Sequence, residues 1–463
     1  MDHFSWKRSP TVLLLVLAGI LIRLAAVNWL GADPADDREI FYTTIAEEWR
    51  GAFSLTVGGN PTAAVMPLYP ILLGLFRIGS PESWMPILVL QAILGGLAAW
   101  LAYRVAWRIG RVPAVAWGTL LLCLFYPPLV LQSILLEPGP ILTFCLALAL
   151  WFLTGVFRPS VHLVAFMFGA GVFVIGFYLS PKIIIAIPII ALSCGVCAVD
   201  RKTGMLASFA LLLGCMVALM PWMGRNFIVM GSAVPLNTGF VHTLESSLSE
   251  AKGEQSVPDH DFSSGEEVSH YQGSLAAVSG QLQSLEPASW VRLVKRVFPF
   301  WVTDYPDLVK TRFRFAQRIV YRTVALVGTI AIVLLALVGM LAQFRSGRAW
   351  MLIVLLEAAT FQAAFFNQPA HDHLMYWPYL AYFISWGGWV IWRGLIRPPA
   401  GAESALSDDL FDSDSEEDLD SAEVWPVPAV NPDDLEPIRG PRPISGLLKR
   451  GESEREDGVG PLF

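Results

Sequence analysis

The densest run of groups able to move protons lies near the start of the chain. It reads Asp33, Asp36, Asp37, Arg38 and Glu39, followed at helical spacing by Phe41, Tyr42, Glu47, Glu48 and Trp49. A carboxylate held beside a nonpolar surface can act as general base on a hydroxyl. A solvated acidic loop with an Asp capping a helix start would present the same residues. Gly51, Gly58 and Gly59 then mark a turn. Asn60-Pro61-Thr62-Ala63 leads to Met66-Pro67-Leu68-Tyr69-Pro70 and an apolar stretch over 65–77. That stretch is too short and too Pro-rich to cross a bilayer, so the pattern predicts an interfacial or re-entrant helix.

Other candidates stand further along. The planar guanidinium of Arg225 suits a bidentate phosphate contact, or it snorkels to lipid headgroups. Lys182 has the same two readings. His371-Asp372-His373 could bind a divalent metal or hydrogen-bond a phosphate; adjacent ligands point in different directions, which makes one metal shared by all three awkward. His242, Glu245, His260, Asp261 and His270 lack metal-ligand spacing. Segment 285–318 carries Trp290, Arg292, Lys295, Arg296, Trp301, Tyr305 and Arg312. This mixture suits an amphipathic helix at a membrane interface, either a plain anchor or a cover for an anionic lipid substrate.

The elements that position these residues follow from composition. The 463 residues are 54% hydrophobic and 15% charged, with a mean hydropathy of +0.54. Soluble domains are about 25% charged, so an ordinary soluble protein is excluded and nucleic acid is not an expected partner. The net charge of -7 is unevenly spread: residues 402–463 hold 17 acidic and 5 basic residues, leaving 22 acidic and 27 basic in the rest. The chain reads as a slightly basic, very apolar body with an acidic tail. The tail mixes Asp, Glu and Ser, then turns Pro-rich, and is expected to be disordered.

A bilayer core needs about 20 mostly apolar residues per helix. Ten stretches meet that need: roughly 11–30, 83–103, 113–135, 138–157, 161–180, 182–199, 205–222, 319–343, 349–366 and 374–392. If Lys7 and Arg8 are inside, Arg104, Arg108 and Arg111, then Arg158, then Arg201 and Lys202, then Arg345 and Arg348, then Arg393 and Arg397 all fall on inner loops. Both termini are then cytoplasmic, and the two long segments 31–82 and 223–318 face outward. The first span lacks a small-residue cleavage site and is expected to be a retained anchor. Cys123, Cys145, Cys194, Cys197 and Cys215 fall inside spans and read as buried thiols. The domain plan is therefore a polytopic body over 1–397 and a cytoplasmic tail over 398–463.

Residues 37–70 resemble the first outer loop of the GT-C glycosyltransferases, nearest the dolichyl-phosphate-mannose protein mannosyltransferases and the lipid A aminoarabinose transferases. The family pattern is an acidic residue, Tyr, three residues, Ala, a Gly-rich turn and P-P-x-Y-P. Tyr42, Ala46, Pro67, Tyr69 and Pro70 match it. Met66 replaces the first Pro, and the gap from Asp37 to Tyr42 is one residue longer than the family pattern, so Asp36, Asp37 and Glu39 compete for the acidic position. Pro221-Trp222-Met223-Gly224-Arg225-Asn226-Phe227, with Val234-Pro235-Leu236-Asn237-Thr238-Gly239, is similar to the family's P-W-x-x-R-N segment and its sequel. The family usually continues with a Gly-Asn pair, near which this chain has Glu245-Ser246-Ser247. Leu135-Leu136-Glu137-Pro138 is a weaker match. The resemblance covers about 1–395.

The resemblance implies an all-α, GT-C-like polytopic membrane protein of about ten transmembrane helices with outer-face loop helices. It implies an inverting glycosyltransferase of the plasma (inner) membrane. Such an enzyme moves a sugar from a polyprenyl-phosphate donor to a glycan, lipid or protein hydroxyl on the outer face. Asp37 or Asp36 would be the base. Tyr42, Tyr69, Glu137, Lys182, Arg225, Asn226, His371 and His373 would contact substrates. A divalent metal is left open, and no other cofactor is expected. Two other classes compete. A transporter or flippase would show two-half symmetry and ionisable residues near mid-span, where only Arg23 and Glu357 come close. An inactive scaffold would work through its acidic tail.

Overall fold

The computed structural model describes residues 10–30, 34, 37–80, 82–157, 163–197, 201–254, 266–302, 330–344, 346, 348–366 and 374–395. The chain divides into Met1–Ile396 and Arg397–Phe463, and every described residue belongs to the first unit. Asp33, Asp36, His260, Asp261, His371, Asp372, His373 and the tail lie outside the described residues.

The described residues are overwhelmingly helical, and the chain is an integral membrane protein. Helix α1 (Pro10–Leu30) comes first; α2 (Asp37–Ala52) follows and packs Ile45 and Ala46 into the main core. A two-stranded antiparallel ribbon, β1 (Thr56–Val57) and β2 (Asn60–Pro61), turns at Gly58 and Gly59. Both glycines have positive φ, at 60° and 80°, which this tight turn demands. The Glu48 carboxylate accepts from the Gly58 and Gly59 amides at 2.7 and 3.2 Å. Gly51, by contrast, is a helical residue of α2. Pro67 then starts the short α3 (Leu68–Gly79), 12 residues long, at the place of the expected re-entrant segment.

Helix α4 (Met85–Gly110) packs on α1, on α5 (Pro113–Phe125) and on α7 (Gly139–Leu153). Between the last two, the run expected as one span over 113–135 is broken. Helix α5 meets α6 (Pro127–Leu131) and the 3₁₀ turn Gln132–Ile134 at 49°. The cause is local: Pro127 and Pro128 have no N–H to continue the ladder, and Tyr126 before them is extended, at φ -64° and ψ 114°.

After α7 come α8 (Leu163–Leu179), α9 (Ala186–Cys197), α10 (Arg201–Met230), α11 (Thr238–Lys252), α12 (Glu267–Gln283), α13 (Pro287–Lys295) and α14 (Val297–Val302). The last described helices are Ile330–Gln343, Trp350–Phe365 and Trp377–Leu395. Among the described residues, α1, α4 and α10 are the helices long and apolar enough to cross a bilayer, and the bent α5–α6 pair is a fourth candidate. Among the described residues the other expected spans show shorter or less apolar helices, and part of the expected span 319–343 lies outside the described residues. The 3₁₀ turns Thr154–Phe157 and Pro181–Ile185 cut into two of them.

Cys123, Cys145, Cys194 and Cys215 are buried free thiols. Outside the main core, Val241, Leu248, Ala251, Val278 and Leu293 form a smaller one joining α11, α12 and α13. Helix α13 turns Leu293 inward and leaves Trp290, Val291 and Val294 exposed. That is the two-faced character expected of an interfacial helix.

Candidate active site

Helix α2 carries Asp37 and Glu39 in its first turn, where carboxylates complement the helix N-terminus. They point to different environments. Asp37 is exposed, whereas Glu39 is only 2% exposed. The Glu39 Oε1 accepts the Leu136 amide at 2.6 Å. That amide lies past the 3₁₀ turn, after extended Leu135 (φ -88°, ψ 138°), in a stretch between helices.

Next to it, buried Glu137 offers its carbonyl to Gln91 Nε2 at 2.9 Å. The same Gln91 nitrogen donates to the Tyr69 hydroxyl at 2.9 Å. Tyr69 is fully buried at the head of α3, and the Tyr42 ring meets it edge-on at 5.2 Å. Burial pushes the Tyr69 hydroxyl well above the usual tyrosine range, with Glu137, Tyr42 and Glu39 adding to the shift against the Gln91 hydrogen bond. The phenol is therefore neutral at physiological pH. Thus Glu39, Tyr42, Tyr69, Gln91 and Glu137 form one cluster from four separate stretches of chain.

A second constellation sews residues 55–64 to the stretch from Arg225 to Glu267. At the end of α10, Arg225 Nη1 donates to the Thr62 carbonyl at 2.8 Å and to Asn226 Oδ1 at 2.9 Å. Its Nη2 donates to the Leu55 carbonyl at 2.9 Å, and the guanidinium sits 5.4 Å from the centre of the Trp222 ring. Buried Asn226 reaches the Val234 carbonyl at 3.0 Å. Asn237 caps α11 by accepting from Phe240 N at 3.1 Å, and its amide donates to the Ala64 carbonyl at 2.9 Å. The Thr238 amide donates to the Ala63 carbonyl at 3.0 Å. Gly239 permits this approach, since a Cβ there would lie 2.6 Å from the Ala64 oxygen.

Glu267, 2% exposed at the head of α12, accepts on Oε1 from the Ala63 amide at 2.9 Å and the Thr238 hydroxyl at 2.6 Å. The run from Pro221 to Gly239, singled out by sequence, is in physical terms the stitch that fixes residues 55–64.

The structure therefore groups Tyr42, Tyr69 and Glu137, and separately groups Arg225 and Asn226 with the β1–β2 ribbon. Lys182 lies in the 3₁₀ turn Pro181–Ile185, and its side chain is outside the described residues. Gln91 and Glu267 were not read from the sequence. Each is a single polar residue whose partners are distant backbone or hydroxyl groups. Among the described residues no group of three or more His, Cys, Asp or Glu side chains could hold a metal ion.

No family model and no curated protein matches the chain. Solved structures do. The archaeal oligosaccharyltransferase AglB from Archaeoglobus fulgidus, in complex with an inhibitory peptide and a dolichol-phosphate, is similar at a TM-score of 0.50 and 15% identity. The match covers 88% of this chain and 52% of that one. The chain thus spans about half the length of AglB. ArnT from Cupriavidus metallidurans bound to undecaprenyl phosphate gives a TM-score of 0.41 at 13% identity, covering 82% of this chain and 78% of that one. At such identities the likeness to AglB is one of fold.

Proposed function

We propose that this chain is an inverting membrane glycosyltransferase that moves a sugar from a polyprenyl-phosphate donor to an acceptor hydroxyl. The reacting centre would lie on the outer face of the plasma (inner) membrane, with both termini cytoplasmic. The observation that carries the reading is the α2 start: one exposed and one buried carboxylate on opposite faces, the buried one locked to Leu136 beside Tyr69 and Glu137. A sugar on a lipid phosphate reaches such a place from within the bilayer, and the GT-C fold is consistent with it.

In this reading Asp37 is the base, because it is open to an acceptor. Glu39 is a positioning group, because burial and the Leu136 amide occupy it. The acceptor oxygen attacks the anomeric carbon as the bond to the phosphate oxygen breaks. Its proton passes to Asp37, and the polyprenyl phosphate leaves as the anion. Arg225, with Nη1 and Nη2 already bonded to Leu55, Thr62 and Asn226, would meet that anion with its remaining N–H groups. Lys182, His371 and His373 are further candidates for it, and Asp36 is the second candidate for the base. The acceptor is a glycan, lipid or protein hydroxyl.

The test is reconstitution of purified protein in lipid vesicles with radiolabelled sugars on undecaprenyl phosphate and dolichyl phosphate, offered to membrane lipids and glycans as acceptors. Mass analysis of surface glycans from cells lacking the protein runs in parallel. A missing sugar in the cells and its transfer in vesicles support the reading. No glycan change together with no transfer from either donor class refutes it.

A further inference from the structure

Arg23 is a charge in the middle of α1, and it is 1% exposed. A charged side chain at the centre of a spanning helix costs roughly 2.5–3.5 kcal/mol or more, so its partners are informative. Two of them explain it. Nη2 donates to the Cys123 carbonyl at 2.8 Å, and Nη1 donates to the Leu124 carbonyl at 3.0 Å. A third bond, from Nη1 to the Gly19 carbonyl at 3.1 Å, stays within α1.

In an unbroken helix the Cys123 and Leu124 carbonyls would receive the amides of residues 127 and 128. Both are proline and have no amide to give. The guanidinium therefore replaces the two hydrogen bonds that Pro127-Pro128 removes. On the other side of the break, Tyr126 lies flat on Trp377, with ring centroids 3.8 Å apart and planes 6° apart. The bend of 49° is thus held from both sides.

The bend has a consequence at the outer face. Beyond it, α6 and the 3₁₀ turn run into Leu135-Leu136-Glu137, the stretch that supplies the Leu136 amide to Glu39 and the Glu137 carbonyl to Gln91. Arg23 and Ser133 of that turn both line a small, mostly apolar cavity with Gln132 and Thr143. Helix α4 closes on the guanidinium at Gly95, where a Cβ would come within 3.0 Å of Nε.

We propose that Arg23 is a positioning residue for the acidic cluster: by latching the bent α5–α6 pair it sets where Leu136 and Glu137 stand, and so where Glu39 and Tyr69 are held. It touches no substrate. The proposal rests on the cluster being the active site, but its central readout does not.

Hydrogen–deuterium exchange of the Leu136 amide, measured in lipid nanodiscs alongside the thermal midpoint, is the test. Arg23→Leu is expected to speed Leu136 exchange about tenfold or more. In transfer assays with a polyprenyl-phosphate sugar it lowers kcat ten- to a hundredfold, with donor KM within about twofold, as expected of a misplaced catalytic constellation.

Arg23→Leu combined with Pro127→Ala and Pro128→Ala restores donors to both carbonyls. It should recover thermal stability but not Leu136 protection, because the helix now runs straight. Recovery of both would overturn the proposal, reducing Arg23 to a filler of two hydrogen bonds. Unchanged Leu136 exchange in Arg23→Leu would overturn it too. If that variant does not fold, Gly95→Ala, which crowds the guanidinium without removing it, is expected to loosen Leu136 in the same direction, and its failure to do so refutes the latch. A wild-type protein that transfers no sugar, with Leu136 still loosened by Arg23→Leu, would sink the glycosyltransferase reading and leave the latch standing.

Discussion

Arg225 and Glu267 hold the two ends of one peptide bond. The Thr62 carbonyl accepts from Arg225 at 2.8 Å, and the Ala63 amide of the same peptide unit donates to Glu267 at 2.9 Å. A cation on the oxygen and an anion on the nitrogen both strengthen the peptide dipole's contacts. The unit lies five residues before Pro67, so it fixes how the chain enters α3 and where Tyr69 sits.

Removing one charge exposes what the clamp contributes. Glu267→Ala leaves the Ala63 amide and the Thr238 hydroxyl buried without this acceptor, which costs about 1–3 kcal/mol. Glu267→Gln keeps an acceptor oxygen and should lose less. Unfolding of the purified protein in detergent reads the difference. Because the two residues share one peptide, a cycle with Arg225→Met should show a coupling of about 0.5 kcal/mol or more. Additive effects would mean the clamp is two unrelated contacts.

Arg225 also separates tethering from phosphate recognition. Arg225→Lys keeps the charge but cannot hold Leu55 and Thr62 together while presenting a fork. The expected outcome is a loss of donor use of about tenfold or more, equivalent to one charge-assisted hydrogen bond of roughly 1.5–3 kcal/mol. Binding of undecaprenyl phosphate by the Lys variant, compared with its thermal midpoint, decides the matter. A lowered midpoint with normal lipid binding would assign Arg225 to tethering alone.

Tyr69 gives the protein an alkaline limb. Its hydroxyl is held above the usual range by burial, while in the unfolded chain it ionises near pH ~10. The folded state therefore binds the proton more tightly. The stability this contributes is fully present below about pH 10 and is lost as pH rises toward the folded value, at about 1.4 kcal/mol per unit for one proton. Tyr69→Phe cannot ionise, so its stability should fall less steeply above pH 10 than the parent's. Parallel slopes for the two would show that Tyr69 is not the group concerned.

Orientation can be read directly. With the outer segments exposed, Gln272→Cys on α12 should react with an impermeant maleimide added to intact cells, and Ser421→Cys in the tail should react only after lysis. The native thiols at Cys123, Cys145, Cys194 and Cys215 are buried and should stay silent. Labelling of the tail from outside would invert the topology and move the proposed chemistry to the cytoplasmic face.

Much of the architecture around residues 55–79 was legible because its signals are local. Gly58-Gly59 and Pro67 punctuate the chain where the ribbon turns and α3 begins. The Trp222-to-Thr238 motif marked residues that the structure shows stitching residues 62–64. What escaped were groups defined by distant partners. Gln91 looks like a stray amide in an apolar helix until Tyr69 and the Glu137 carbonyl meet it. Glu267 looks like an ordinary first-turn carboxylate until Ala63, 204 positions away in sequence, donates to it. The break at Tyr126 was written in Pro127-Pro128, but the run over 113–135 is apolar throughout and hydropathy alone does not register a missing amide. Nor does spacing distinguish Asp37 from Glu39. Two residues of helix separate them by about 200°, enough to put one in solvent and one in the core.

That separation yields the sharpest test of the proposed chemistry. If Asp37 takes the proton from the acceptor hydroxyl, Asp37→Asn should slow transfer by about 10²–10⁴-fold, the usual cost of removing a general base. Folding should be little disturbed, since an exposed carboxylate in the first turn of a helix is worth about 0.3–1 kcal/mol. Glu39→Gln should behave differently. It keeps an oxygen for the Leu136 amide but loses the charge that strengthens that bond at 2.6 Å. Its effect should appear as lower stability and faster Leu136 exchange, with a smaller loss of rate. The pair is measured by single-turnover transfer with bound donor, alongside thermal unfolding. The reverse pattern, a silent Asp37→Asn and a stable but dead Glu39→Gln, would move the base two residues along the helix and make the buried carboxylate the reacting one. Near-normal turnover in both would take α2 out of the chemistry and leave Asp36, Glu137 and Asp372 as the remaining carboxylates to test.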